Sequence, residues 1–168
     1  PKKDGKQRFC VDYRQINQIT VSEPAPMPQI QEALRDLGTA SVFTTLDLAN
    51  GYWQVPMHHE SKIYTAFNTP DGGHYQFKVM PFGLKNAPAT FQRLMAQEVL
   101  VGHLRKFCLV YLDDIIIYSD SHEDHLRHLS LVMERLQQHG LRLSAGKCAF
   151  GKSSLDYLGH QIAPGITL

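Results

Sequence analysis

No apolar run in this chain is long enough to cross a membrane, and no stretch has the pattern of a signal peptide. A membrane partner is therefore not expected. Charge of one sign is lacking too: 17 Lys and Arg stand against 16 Asp and Glu, and a net charge of +1 argues neither for nor against nucleic acid. Only three cysteines occur, Cys10, Cys108 and Cys148, far apart and without a C-x-x-C spacing. That excludes a disulfide framework and a cysteine-based zinc site, and predicts reduced thiols in a cytosolic setting. Internal repeats, a Gly-rich phosphate loop and a Ser/His/Asp nucleophile arrangement are all missing.

What is present suits one globular domain with a sizeable core: 168 residues, 43% hydrophobic and 20% charged. Basic residues gather early. Lys2, Lys3, Lys6, Arg8 and Arg14 face only Asp4 and Asp12 within residues 1–20, an excess of 5 − 2 = 3. Such a patch can neutralise phosphates or can simply be a solvated surface. The chain starts on Pro1 without Met and stops at Leu168 with no closing element, so both ends are expected to be cuts through a larger protein.

Patterning predicts a strand over Gln7–Tyr13, an extended Ser22–Pro28, a helix over Gln29–Leu37 closed by Gly38, and a buried strand over Val42–Leu48. Ile63–Asn68 and His74–Val79 flank Pro70-Asp71-Gly72-Gly73, a hairpin turn signal. A helix starts near Asn86 as N-cap with Pro88 in its first turn, its apolar positions being Phe91, Leu94 and Met95. Phe107–Leu112 and Ile115–Ser119 predict a second hairpin with Asp113-Asp114 at or beside its tip. Ser121 and Asp124 open a further helix with a stripe of Leu126, Leu129, Met133 and Leu136, ending at Gly140. Strands over Cys148–Gly151 and Asp156–Gln161 close the chain. Strands interleaved with helices indicate an α/β or α+β sandwich with helices on one face.

Two adjacent aspartates at the tip of an apolar hairpin repel, unless cations compensate. Asp113-Asp114 reads equally as turn chemistry or as a metal site. Asp47, near the end of another apolar strand, tips the balance. If strand 42–48 lies beside the 107–119 hairpin, three carboxylates reach one sheet edge. Hard oxygen ligands in such a cluster suit Mg²⁺, and two such ions roughly 3.5–4 Å apart are the recognised device for in-line phosphoryl transfer. His122, His125 and His128, at i, i+3 and i+6, read as a solvated face rather than a zinc site. Trp53 and Phe91 read as core packing.

Tyr111-Leu112-Asp113-Asp114 resembles the Tyr-x-Asp-Asp box of reverse transcriptases. The run from Leu46 through Asp47, Leu48, Ala49, Asn50, Gly51, Tyr52 and Trp53 to Gln54 resembles the first catalytic motif of that family. Met80-Pro81-Phe82-Gly83-Leu84-Lys85-Asn86-Ala87-Pro88-Ala89-Thr90-Phe91-Gln92 resembles its second, and Arg8 to Asn17 its fingers segment. Order and wording are most similar to Ty3/gypsy-type LTR retrotransposon Pol polyproteins, over essentially the whole chain.

The resemblance implies an α+β fold, a right-hand palm of βαββαβ, ferredoxin-like topology with part of the fingers and no thumb. Fingers would occupy about 1–21 and 55–87, and palm about 22–54 and 88–168. It implies an RNA-directed DNA polymerase that joins a dNTP to a primer 3′-hydroxyl on an RNA or DNA template. Asp47, Asp113 and Asp114 would be the metal-holding catalytic carboxylates for two Mg²⁺, with Mn²⁺ as substitute. Lys147 would give a proton to departing pyrophosphate. Lys2 or Lys3, with Arg8, would hold the triphosphate, the choice of lysine staying open. Tyr52 would be the sugar gate, and Phe82 and Gly83 would lie at the nucleotide. Phe82 replaces the Gln of retroviral enzymes, which removes a polar contact to the sugar. Leu158, Gly159 and His160 would grip the primer. The parent would also carry a thumb, ribonuclease H, protease and integrase, in cytoplasmic virus-like particles. The rival reading is an inactive or domesticated remnant that only binds nucleic acid.

Overall fold

The structure is a computed structural model, and it describes residues 9–24, 32, 34, 35, 37 and 40–167. In chain order the first elements are helix α1 (Arg14–Ile19), strand β1 (Val42–Asp47), the small hairpin β2 (Phe67–Asn68) and β3 (His74–Tyr75), and helix α2 (Ala87–Leu94). The hairpin β4 (Cys108–Tyr111) and β5 (Asp114–Ser119) follows, then helix α3 (His122–Gln138). Strands β6 (Ala149–Lys152), β7 (Leu155–Tyr157), β8 (His160–Ala163) and β9 (Ile166–Thr167) complete the order.

The central sheet has order β4-β5-β1-β6, with antiparallel pairing throughout. With α2 and α3 interposed, this is βαββαβ in the ferredoxin-like order. Strand alternation sends successive side chains to opposite faces. Cys108, Val110, Ile115, Ile117 and Leu46 join Phe91 of α2, Met95 of the π-helical turn that continues it, and Val132 and Leu136 of α3 in one core. Leu109, Ile116, Tyr118 and Phe43 join Leu34, Leu37, Tyr157 and Ile162 in a second core on the other face. Each fully buried Leu or Ile is worth about 1.5–3 kcal/mol against exposure. Both faces of the hairpin are therefore anchored, and only its tip is polar.

Several local expectations are corrected. Residues 9–13 form no strand. The Asp12 carboxylate accepts the Arg14 amide at 3.0 Å in an Asx-type turn, and α1 begins directly after it. Tyr13, which made the alternation look strand-like, is buried as a single anchor whose hydroxyl donates to Thr65 O at 3.2 Å. His59–Thr65 is 3₁₀-helical, so strands survive only at Phe67–Asn68 and His74–Tyr75 around the turn. The predicted strand Asp156–Gln161 breaks at Leu158 (φ 50°) and Gly159 (φ 81°), the paired positive dihedrals of a tight hairpin turn. Glu32, Leu34 and Arg35 are helical as expected; the rest of Gln29–Gly38, apart from Leu37, lies outside the described residues, as do 25–28.

Asn86 stands at the N-cap of α2 but makes no capping bond. Its side chain instead donates to Val21 O at 2.9 Å and accepts from Glu23 N at 3.1 Å, tying the segment after α1 to α2. The cap of α3 is as expected: Ser121 Oγ accepts the Asp124 amide at 3.1 Å, and Gly140 (φ 67°) follows the C-cap. The face of α3 is rotated from its Leu stripe. Leu126 is 67% exposed and Met133 41%, whereas His125, Val132 and Leu136 are buried.

His125 is thus no solvated residue. Its Nε2 hydrogen-bonds Thr44 Oγ1 at 2.7 Å on β1, and its Nδ1 hydrogen-bonds Ser119 Oγ at 3.0 Å on β5. Ser119 Oγ also meets His128 Nδ1 at 2.8 Å, and the His128 ring lies flat on Phe107 at 4.1 Å. Gly151 of β6 donates to Thr44 Oγ1 at 3.0 Å, so one network joins three strands to α3. Burial, then the charges of His128 and His122, hold His125 below its ordinary value of 6.5. Burial, then Arg127, lowers His128 likewise, although Asp124, the Tyr118 backbone and Asp120 oppose it. A histidine kept neutral by folding contributes stability above its unfolded pKa and loses it as pH falls. The melting temperature is therefore expected to hold between pH 8 and 7 and to drop on acidification from about pH 6.5 to 5, before carboxylates titrate. Thermal unfolding of His125→Gln should show a shallower drop across that window. An equal slope in wild type and variant would remove His125 from the explanation.

Candidate active site

Asp47 is the last residue of β1 and Asp114 the first of β5, and they are register partners across the sheet. Their neighbours Leu46, Leu48 and Ile115 enter the helix-side core, so alternation turns both carboxylates to the opposite face. Directly opposed side chains have Cβ atoms about 4.5–5.5 Å apart, and like charges there are unfavourable. Burial first, then the negative Asp47, pushes the Asp114 carboxyl above its ordinary value, while Lys147 pulls the other way.

Lys147 reaches this end through a tied segment. Ala49 N donates to Arg142 O at 2.9 Å, Leu48 bridges Leu143, and Ser144 N donates to Asp47 O at 2.8 Å. A single 3₁₀ turn, Ala145–Lys147, then presents the lysine. Its Nζ donates to both oxygens of Asp47, at 3.2 and 3.1 Å.

Asp113 sits in the turn between the strands. The preceding Leu112 has φ 53°, left-handed backbone that a leucine adopts only when its surroundings insist. Buried Gln92 of α2 supplies that insistence: its Oε1 accepts the Leu112 amide at 3.0 Å and its Nε2 donates to Val110 O at 3.2 Å. The carboxylate lies against Gly51, where a Cβ would come within 3.1 Å of Asp113 Oδ1 and 3.1 Å of the Phe91 ring.

Tyr52 comes next, half-buried, with its ring 5.2 Å from Phe82 and 5.5 Å from Phe91. Burial, then the charge of Asp113, pushes its hydroxyl up to about 12. Phe91 is core, as expected, but Trp53 is 37% exposed and rests on Phe82 at 5.8 Å. Gly83 has φ 97°, which glycine alone takes without strain. Its carbonyl accepts from Asn17 Nδ2 at 2.8 Å, which ties this turn to α1.

Leu158 and Gly159 form the β7–β8 turn and His160 begins β8. A cavity of about 200 Å³ is lined by Leu158 together with Thr45, Leu46, Asp47, Asp114, Lys147, Asp156 and Tyr157. The structure therefore brings Asp47, Asp114, Lys147 and Leu158 together, with Asp113, Tyr52 and Phe82 around Gly51 and Phe91. Lys2, Lys3 and Arg8 lie outside the described residues. Gly51 and Gln92 stand within the two motifs but carried no role in the sequence reading, and Asp156 and Tyr157 were not singled out as site residues. A glutamine adjoining Phe91 within an apolar helix was the one available signal.

Among the described residues no group of three or more His, Cys, Asp or Glu is gathered closely enough to hold an ion. Asp47 is engaged with Lys147 and Asp113 lies against Gly51. The donor chemistry nevertheless fits a hard divalent cation. The three side chains are all carboxylates at one end of one hairpin and its neighbour, and Asp114 is disfavoured as an anion by burial first and then by the negative Asp47, a cost that a bound cation would relieve.

The family model for reverse transcriptase (RNA-dependent DNA polymerase) matches residues 1–162. The chain is 48% identical over 160 residues to the retrovirus-related Pol polyprotein from transposon 297 of Drosophila melanogaster, covering 95% of this chain and 15% of that protein. It superposes on the foamy viral protease-reverse transcriptase dRH in complex with double-stranded DNA with TM-score 0.89 and 30% identity, over 99% of this chain and 29% of that one. The same viral enzyme in complex with an RNA/DNA hybrid gives TM-score 0.77 and 28% identity, over 90% and 20%. The chain thus spans between 15% and 29% of the length of these proteins, and it belongs to the reverse transcriptase family.

Proposed function

We propose that this chain is the polymerising core of an RNA-directed DNA polymerase encoded within a retroelement Pol polyprotein. The observation that carries the reading is the pairing of Asp47 with Asp114, with Asp113 fixed beside them in a strained turn. Family membership and the foamy viral complexes with DNA and with an RNA/DNA hybrid support template-primer as partner. Residues 1–21 and 55–87 form the fingers, and 22–54 and 88–168 the palm.

Asp47, Asp113 and Asp114 would hold two Mg²⁺. When bound, the metal lowers the pKa of the attacking hydroxyl and neutralises triphosphate charge. The remaining work belongs to the chain itself. Lys147, mostly exposed and beside Asp47, holds a proton where pyrophosphate leaves. Lys2 or Lys3 with Arg8 binds the triphosphate, and the Leu158–His160 turn orients the primer end across the cavity it shares with Asp47. Phe82 and Gly83 face the incoming nucleotide, and Tyr52, backed by Phe82 and Phe91, has little room to yield to a 2′-hydroxyl. Catalysis is then positioning and charge neutralisation, as is general for phosphoryl transfer.

In the full-length enzyme, Asp113→Asn is expected to leave less than roughly 1% of wild-type primer extension on poly(A)/oligo(dT) with Mg²⁺. Substantial residual extension would exclude Asp113 from the catalytic set and favour a merely nucleic-acid-binding role. Tyr52→Val is expected to keep dNTP incorporation within about tenfold while raising relative rNTP use roughly a hundredfold, ~2.7 kcal/mol in transition-state discrimination. The measurement is the ratio of kcat/KM for matched dNTP and rNTP on one template. A purely structural tyrosine would lower both and leave their ratio unchanged.

A further inference from the structure

The helix α2 does more at the hairpin tip than cover its apolar side. Gln92 is 4% exposed, and its neighbours along the helix, Phe91 and Met95, are fully buried. A buried amide is costly unless both of its ends are bonded. Both ends of this one are bonded to the same hairpin, to Val110 O before the turn and to Leu112 N within it. Between these two anchors the backbone passes into the left-handed conformation at Leu112 (φ 53°). An L residue with a bulky side chain tends to leave that region when nothing holds it.

The residue that would move with it is Asp113. Its carboxylate lies over Gly51, where an added Cβ would come within 3.1 Å of Asp113 Oδ1 and 3.1 Å of the Phe91 ring, so this side of the turn has no room for a side chain at position 51. Phe91 and Gln92 are consecutive, so one turn of α2 packs toward Gly51 through Phe91 and clamps the backbone of the hairpin turn through Gln92. Asp114 is held otherwise, by its pairing with Asp47 and with Tyr111. Loss of the clamp therefore displaces one carboxylate of the set and leaves its neighbour in place.

We propose that Gln92 is a positioning residue, whose paired bonds to Val110 and Leu112 hold the Asp113 carboxylate where a divalent cation can use it. This deepens the polymerase reading and rests on it. The test uses the full-length enzyme that carries this chain. Gln92→Met keeps volume and helix propensity and removes both bonds. Mn²⁺ affinity, read by electron paramagnetic resonance without nucleotide or primer, is expected to fall about 10–100-fold, and kcat by a similar factor. The KM for dNTP should stay within about twofold, because no nucleotide contact is altered. Should the Met variant fail to fold, Gln92→Asn keeps a buried amide but is one methylene too short for both partners, and the same losses are expected. Mn²⁺ affinity and kcat both within about twofold of wild type, in a folded variant, would overturn the proposal. So would kcat, KM and melting temperature shifting together while Mn²⁺ affinity is kept, which is the behaviour of a packing residue. If the wild type binds Mn²⁺ yet extends no primer, the polymerase reading fails, and the Mn²⁺ comparison still decides the role of Gln92.

Discussion

The register between β1 and β5 is the constraint on which the rest of the site depends. It runs without a slip from Val42 opposite Ser119 to Asp47 opposite Asp114. A shift of one residue would exchange the two faces, moving Ile116 into the helix-side core and Asp114 with it. Two opposed carboxylates cost something: about 3 kcal/mol for charges 5 Å apart at an effective dielectric near 20, and under about 1 kcal/mol in water. Asp114 is exposed at its outer edge yet half covered by its neighbours, so the cost lies between the two figures. Ile115, Ile116 and Ile117 are fully buried, each contributing about 1.5–3 kcal/mol. Apolar burial wins, and the fold can present a repulsive pair of charges at its edge without losing its register.

The elements that the sequence made legible are those whose burial is decided locally. The β4–β5 hairpin is a continuous apolar run because both of its faces are covered, and β1 is β-branched for the same reason. Where burial depends on a distant partner, local patterning misled. Leu126 and Met133 looked like a core stripe, but α3 packs through His125 because Thr44 and Ser119 offer its ring two polar partners. Asn86 looked like a cap, yet its amide is spent on Val21 and Glu23, some 65 residues back along the chain. The same distinction divides the site. The aspartates stand out because a charge inside an apolar run is anomalous on its face. Gln92 matters through its bonds at 3.0 and 3.2 Å to Leu112 and Val110, and Gly51 through the room it leaves for the Asp113 carboxylate, which no spacing rule anticipates.

Lys147 places a positive charge directly against Asp47. Its ion pair with Asp47 is short, but the lysine side chain is 67% exposed. An exposed pair of this kind is worth about 0–1 kcal/mol and is screened by salt. Its departure from Asp47 would therefore leave the fold almost untouched, because the segment that carries it is anchored by backbone bonds from Ala49 to Arg142 and from Ser144 to Asp47. The carboxylates are thus held rigidly through their strands and turn, while the positive charge beside them is held loosely through a flexible side chain. That asymmetry leaves the oxygen atoms where the register puts them and makes the lysine side chain the movable part of this end of the sheet.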